Sequence, residues 1–592
     1  MEATRLFDLL EIQNKNVPND PFLSSKINGK WVTYTFKEVQ QYANRASQLL
    51  LELGLNKGDA IALISANRPE WNFIDFGAMQ IGVTVVPMYP TIAERDYEYI
   101  FNDASICYAF IDNDTVYNKV NPLLQKISSF KGIYSFDKLN DVSLFSTSLP
   151  ATVQLSEIET KKKATTENDI ATIIYTSGTT GNPKGVMLTH KNILSDIYAV
   201  KKVINFGDGE KALSFLPLCH SFERMVFYAY LAFRIHIHYA ENLEKIGENL
   251  LEVKPYCFTT VPRMLEKVYD KIIAKGNALT GYKKQLFFWA MEVGAKYEIG
   301  KPKNPFYLLQ LAIARKLVFT KWQEALGGNV QFIITGAAAM QPRLITLFTA
   351  AGIDIIEGYG LTETSPVLAC NRVNEKERCI GTVGIPLPGI EIKFAEDGEI
   401  LAKGDNVMKG YYNQPELTAE VIDKDGWFHT GDIGEWKIQN GHKFLKITDR
   451  KKELFKTAGG KYVAPQVLEN KMKESPYIEQ IMVVGGDDKK FVSALIVPAI
   501  PQLEGWAIAQ NIKFKTNAAL TSNKEVIALI HQEIKKYNVN FGHWEQIKKF
   551  VLLSNESTVE SGELTPTMKP KRKIVNERYK TEIENMYNGG HE

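Results

Sequence analysis

The sequence predicts an α/β fold: a large N-terminal domain of mostly parallel sheets flanked by helices, a small β subdomain, and a small α+β C-terminal domain. Three observations lead there. At 592 residues the chain exceeds what one hydrophobic core supports, so two or more domains are required. Between residues 31 and 111, β-branched runs alternate with helical patterns, as parallel strands joined by helical crossovers do. Beyond residue 380 the pattern changes to short strands between Gly/Pro turns, and from Gln466 helices alternate with strands.

The elements follow in order. Trp31-Val-Thr-Tyr-Thr-Phe36 alternates as a strand, and Thr35 is placed to cap a helix running to Leu53. Gly54-Leu-Asn-Lys-Gly58 ends that helix, and Ala60 to Ser65 reads as a buried strand. Glu70 to Val86 repeats helix then strand, and Ile106 to Ile111 gives another strand. Lys131 to Lys163 is polar and aperiodic, so a loop is expected. Phe76 to Ala93 lacks charge, yet Gly77, Gly82, Pro87 and Pro90 suit a helix–turn–strand unit better than a membrane span. The first residues carry acidic side chains and no apolar core, so no signal peptide is expected.

Composition excludes several classes. An apolar fraction of 45% with 23% charged residues is that of a globular protein, and a net charge of +2 argues against a nucleic-acid binder. The five cysteines are scattered without a CxxC pair, which points to reduced thiols in a cytoplasmic compartment.

The chain is organised around Tyr175-Thr-Ser-Gly-Thr-Thr-Gly-Asn-Pro-Lys184-Gly-Val186. Thr176, Ser177, Thr179 and Thr180 supply hydroxyls; Gly178, Gly181 and Gly185 let backbone N–H groups approach an anion; Lys184 adds a point charge. This is a polyphosphate loop, although not the Walker type, because Pro183 and Gly185 break that spacing. Downstream, Val330 to Thr335 is a strand entering the small-residue turn Gly336-Ala337-Ala338-Ala339, over which a flat ring such as adenine can lie. Asp354-Ile-Ile-Glu357-Gly358-Tyr359-Gly360-Leu-Thr362-Glu363 repeats the plan. Tyr359 offers an aromatic face, Thr362 and Glu363 offer oxygens, and Glu363 suits Mg²⁺ held between a carboxylate and substrate phosphates.

His220 stands at the end of a strand and before an apolar helix expected from Met225 to Phe233, where pockets in α/β folds open. Residues 264 to 328 read as a long helical region rich in Phe, Trp and Lys. It either packs amphipathically on the body or presents a membrane-facing surface.

These strings, in order and over residues 25 to 580, resemble the adenylate-forming (AMP-binding) superfamily of acyl-CoA synthetases, luciferases and peptide-synthetase adenylation domains. Leu216-Pro-Leu-Cys-His220-Ser-Phe-Glu-Arg224 and Val261-Pro-Arg-Met-Leu-Glu-Lys-Val-Tyr269 are similar to the long-chain fatty acid–CoA ligases. The resemblance implies an adenylation domain over 1–451 and a mobile C-terminal domain over 452–592, hinged near Lys452. It implies ATP, Mg²⁺ and coenzyme A, with Asp432 and Arg450 on the ribose, Thr176 and Glu363 at the metal, and His220 on the acyl-pocket wall. Gly459 and Gly460 would enter the site for the thiol step.

Lys569 falls on the family's catalytic lysine, with Lys571 as the alternative because Met568 replaces the usual Gly. Arg224 takes the place of a gating tryptophan. The implied activity is ATP-dependent activation of a long-chain fatty acid to its CoA thioester through an acyl-adenylate. A fatty acyl-AMP ligase serving a carrier protein is the alternative. The implied location is cytoplasmic, with peripheral membrane contact open.

Overall fold

The computed structural model describes residues 2–140, 142–176, 182–451, 453–458, 461–558, 561–564 and 570–588. Two sheets, one of eight strands and one of nine, build the body. In the first, Ala60–Ile64 lies between Thr84–Pro87 and Ile106–Ile111, all parallel. Its residues alternate between two cores: Ile61 and Leu63 face one, Ala60, Ala62 and Ile64 the other. A strand with both faces covered has no solvent side, which explains its unbroken apolar run. As expected, Thr35 caps the helix Phe36–Glu52; its hydroxyl accepts from Glu38 N–H at 3.3 Å, and its own N–H donates to the Glu38 carboxylate at 2.8 Å.

On the far side of Thr84–Pro87 runs β1 (Ile170–Thr176), which turns back as antiparallel β2 (Lys184–Thr189), setting Thr176 opposite Lys184. Thr189 then caps α1 (His190–Lys201). The nine-stranded sheet has β3 (Lys211–Ser214) one place from its centre. Helix α2 (Ser221–Ala232) follows it, four residues earlier than the hydrophobic pattern indicates, because His220 caps its first turn. Beside β3 lie β4 (Cys257–Thr260), β5 (Phe332–Thr335) and β6 (Asp354–Gly360), all parallel neighbours. A single core joins the inner faces of both sheets through α1 and α2.

One reading of the sequence needs correction. The stretch 131–163 is not a loop: Gly132–Ser135 and Ser143–Leu144 extend the eight-stranded sheet, and Leu155–Ala164 is helical. Strands of four and two residues are too short to show a period. The region 264–328 is helical as expected: it holds α3 (Pro262–Asn277), α4 (Gly281–Ala295) and α5 (Pro305–Ala314), the last continuing through a π turn at Arg315–Phe319 into Thr320–Ala325. Their inner faces share a second core with Leu213, Phe258, Ile333 and Ile355 on the outer face of the nine-stranded sheet.

The small β subdomain is a four-stranded antiparallel sheet ending in β7 (Phe428–Gln439) and β8 (His442–Arg450). Beyond it, Ile478–Val484, Val492–Pro498 and Ile547–Leu552 form a three-stranded sheet. Its helices close cores drawn from residues 463 to 586, separate from those of the body. Among the described residues, no helix is long and apolar enough to cross a membrane.

Candidate active site

The C-terminal ends of β5 and β6, the β1–β2 hairpin, the start of α2 and the β7–β8 pair converge on one cleft. Ligand sites in α/β folds open at such strand ends, where loops leave the sheet and backbone groups are available. Fourteen described residues that the sequence singled out line it: Thr176, Lys184, His220, Gly336, Ala337, Ala338, Glu357, Gly358, Tyr359, Gly360, Thr362, Glu363, Asp432 and Arg450. Ser177, Gly178, Thr179, Thr180, Gly181, Lys452, Gly459, Gly460 and Lys569 lie outside the described residues. The alternative lysine, Lys571, also lines the cleft.

The base of the cleft is close-packed backbone. At the end of β5, Ala337 takes a left-handed φ of +67°, turning the small-residue segment back on itself. The Met340 N–H at the end of that turn donates to Glu357 Oε1 at 3.2 Å, tying it to β6. Burial pushes the Glu357 carboxyl up to about 8, against the lowering effect of that N–H. Glu357 therefore serves as an internal tie. At Gly360 a Cβ would stand 1.6 Å from the Pro366 carbonyl oxygen, so only glycine allows this crossing of β6 and the segment returning beside it.

A polar arm rises from this base. Tyr359 is 8% exposed, and its hydroxyl donates to Asp432 Oδ2 at 2.7 Å. The other carboxylate oxygen of Asp432 faces Arg450 Nε at 3.4 Å, because the β7–β8 register sets these residues opposite each other. Tyr359, Asp432 and Arg450 thus form a charged ledge. Across from it, Tyr411 donates to Glu363 Oε1 at 2.9 Å, while the Lys184 ammonium lies 5.3 Å from the Tyr411 ring centroid. Burial raises the Glu363 carboxyl above its usual value, opposed by its own backbone N–H, Tyr411 and Lys184. Sequence reasoning missed Tyr411. It reaches the site because Gly410–Tyr411 pairs with Val186 and Met187 of β2, more than two hundred positions away in the chain.

An apolar arm leaves the same base between α1 and α2. Val200, Ile204, Phe206, Met225, Val226 and Ala229 line it, joined by Ile334, Val367 and Cys370. Where the arms meet, His220 Nδ1 accepts from the Phe222 N–H at 3.2 Å, fixing the imidazole at the helix start. One residue on, the Ser221 and Thr362 hydroxyls are 3.1 Å apart, bridging α2 and the turn that follows β6. Beneath them Glu223 is buried, accepting from Ser214 at 2.6 Å and Thr259 at 2.5 Å. Burial lifts its carboxyl to about 7, against those two hydroxyls.

Arg224 is not a gate. It is 1% exposed, ion-paired with Asp75, donates to Thr172 Oγ1 at 2.5 Å and lies 5.3 Å over the Trp71 ring. On α2 its side chain points away from the apolar arm toward the helix Pro69–Gln80, so it ties three elements of the core together. The end of the cleft beside Glu453 has a clamp of its own. Arg572 reaches Glu453 at 3.1 Å and Glu469 at 2.7 Å, and Arg263 of α3 pairs with Glu479 of the C-terminal sheet.

Comparison with known proteins agrees with this architecture. Residues 10–412 match the AMP-binding enzyme family, and residues 453–591 match the AMP-binding enzyme C-terminal domain. The chain is 36% identical to Long-chain-fatty-acid–CoA ligase FadD15 of Mycobacterium bovis, over 95% of this chain and 93% of that one. It is 32% identical to Long-chain-fatty-acid–CoA ligase 1 of Homo sapiens, over 96% of this chain and 84% of that one. Among solved structures, the adenylation domain of a carboxylate reductase from Mycobacterium chelonae superposes with a TM-score of 0.75 at 20% identity, covering 99% and 91% of the two chains. The Mycobacterium tuberculosis fatty acyl CoA synthetase superposes with a TM-score of 0.62 at 19% identity, covering 98% and 99%. By the match over its body, its C-terminal module and these near full-length relatives, the chain belongs to the AMP-binding enzymes.

Proposed function

We propose that this protein activates long-chain fatty acids with ATP and transfers the acyl group to coenzyme A. The observation that carries this is the junction of a charged arm and an apolar arm at His220, Ser221 and Thr362. A nucleotide fits the first, an alkyl tail the second, and the carboxylate falls where they meet.

In the first step a carboxylate oxygen attacks the α-phosphorus of ATP; the bond to the bridging oxygen breaks and pyrophosphate leaves. The carboxylate becomes a mixed anhydride. Charge grows on the phosphoryl oxygens, so catalysis rests on positioning and preorganised cations. Lys184 and Lys569 supply them, and Asp432 with Arg450 holds the ribose. The Tyr359 ring, the Gly336–Ala338 turn and Glu357–Gly360 bound the adenine. The hydroxyls and glycines of residues 177–181 suit phosphates by their residue types.

Glu363 and Thr176 suit Mg²⁺: both offer oxygens, and a carboxylate that burial disfavours as an anion gains from an adjacent hard cation. Bound there with the phosphates, the ion would neutralise their charge.

In the second step the CoA thiolate attacks the acyl carbon and AMP leaves. The domain over 452–592 rotates about Lys452, withdrawing Lys569 and bringing Gly459 and Gly460 to the thiol path. Because free long-chain acids partition into bilayers, the enzyme works in peripheral contact with a membrane.

Pyrophosphate release measured across acids of increasing length, with and without CoA, tests the reading. Each buried CH₂ contributes about 0.8 kcal/mol, so tails of about twelve carbons or more outcompete acetate. Acetate or an aromatic acid as best substrate overturns it. Turnover indifferent to CoA but dependent on a carrier protein replaces the second step.

A further inference from the structure

Helix α5 is apolar on all sides. Its inner face, Leu311 and Ala314 with Val318 of the following turn, is buried in the second core. Its outer face should then be polar, as a surface helix covering a core normally is. Instead Phe306 (67% exposed), Leu309 (59%), Ile313 (41%) and Leu317 (50%) follow one another at helical spacing, with Leu308 (46%) beside them. Contiguous exposed apolar surface of this kind marks a docking site.

The charge around it says what docks. Residues 281–324 hold eight Lys and Arg against three Glu, whereas the whole chain is nearly neutral at +2. Lys301 stands before the helix, and Lys316 and Lys321 follow it in the π turn and the helix after it, all three at exposed positions, whereas Lys303 turns inward to Glu375 at 3.1 Å. Helix α4 packs against α5, where the Tyr307 hydroxyl donates to the Val293 carbonyl at 3.1 Å. Apolar side chains flanked by exposed lysines match the depth profile of an anionic bilayer, from acyl chains to phosphates.

We infer that the outward face of α5 docks on an anionic lipid bilayer. This rests on the peripheral contact proposed above and names its surface and its lipid chemistry. A second copy of this chain fits less well, because two such faces brought together would oppose their flanking lysines.

The test uses the full-length protein and sedimentation with vesicles of phosphatidylcholine, with or without phosphatidylglycerol. Three proteins are compared: wild type, Phe306→Ser/Leu309→Ser, and Lys316→Glu/Lys321→Glu. Wild type is expected to bind the anionic vesicles and to lose binding as salt rises. Each double variant should partition at least about tenfold more weakly. All three should adenylate a short, water-soluble acid at the same rate without vesicles, because these side chains point away from the cleft and the inner face of α5 is unchanged. Wild type that binds no vesicle overturns the membrane contact itself. Wild type and variants that bind equally overturn this surface but leave the contact standing. A wild-type dimer in sedimentation velocity that Phe306→Ser/Leu309→Ser dissolves, without vesicle binding, assigns the face to a second copy instead.

Discussion

In the polar arm of the cleft, side chains are held by directional contacts: Tyr359 on Asp432, Asp432 on Arg450, Tyr411 on Glu363. In the apolar arm, Val200, Phe206, Val226 and Ala229 form a wall by shape. Hydrogen bonds and charges are worth most when geometry is fixed, and removing one leaves a partner unsatisfied. Apolar contact adds up in small, nearly equal increments per methylene. Loss of a charge in the first arm should therefore act on rate as a step, whereas change in the second should shift substrate preference by degrees.

The largest effect is expected at Lys569. Lys569→Ala removes a cation aimed at developing charge, and adenylation should fall by about 10²–10³. Pre-formed acyl-adenylate plus CoA should still react at near-normal speed. Gly460→Leu should do the reverse, since its side chain obstructs only the thiol step. Measuring ATP–pyrophosphate exchange and thiolysis separately on both variants decides the matter; equal damage to both steps by each means one fixed site without rotation. If Lys571→Ala alone gives the Lys569 phenotype, the lysine has been misassigned.

A graded effect is expected in the apolar arm. Ala229→Phe shortens the space beside α2, so the best acid should become shorter. Each lost methylene contact is worth about fourfold in kcat/KM, from about 0.8 kcal/mol. The kcat/KM profile against tail length, at saturating ATP and CoA, should slide toward shorter acids with the KM for ATP unchanged. A profile that falls uniformly would mean the helix had moved, not the wall.

How much of this could be read in the chain depends on where each contact partner lies. The phosphate hairpin, the small-residue turn and the Tyr359–Glu363 string are each local, so their residue types disclose them together. The Thr35 cap is equally local and was legible to the residue. Tyr411 was invisible, because its place depends on pairing with a strand more than two hundred positions earlier. Arg224 misled for a related reason: its Asp75 and Thr172 partners come from two other elements, and only their convergence makes it a core residue. The short strands at 132–135 and 143–144 have too few residues to show a period.

The smallest effect is expected at Glu223, where the arms meet. Its carboxyl is raised by burial to about 7 from an ordinary value near 4.5, so the fold favours the neutral form. The unfolded chain ionises first, and this group's contribution to stability is lost as pH rises from about 4.5 to 7, then stays level. Glu223→Gln cannot ionise. Its melting temperature should decline less than wild type between pH 5 and 7. Parallel curves for the two proteins would show that Glu223 stays charged in the fold.

The Arg224–Asp75 pair has a consequence for how such an enzyme diversifies. Removing one partner strands a charge in the core, at a cost of about 3–5 kcal/mol, a large share of a typical domain's stability. Neither position can drift alone, so the tilt of α2 against the phosphate hairpin is inherited as a block. New tail-length preferences must then arise by exchanges at lining positions such as 200, 206, 226 and 229, one tolerable substitution at a time. The buried ion pair turns the evolutionary routes toward the lining side chains and keeps the backbone of the β1–β2 hairpin out of the search.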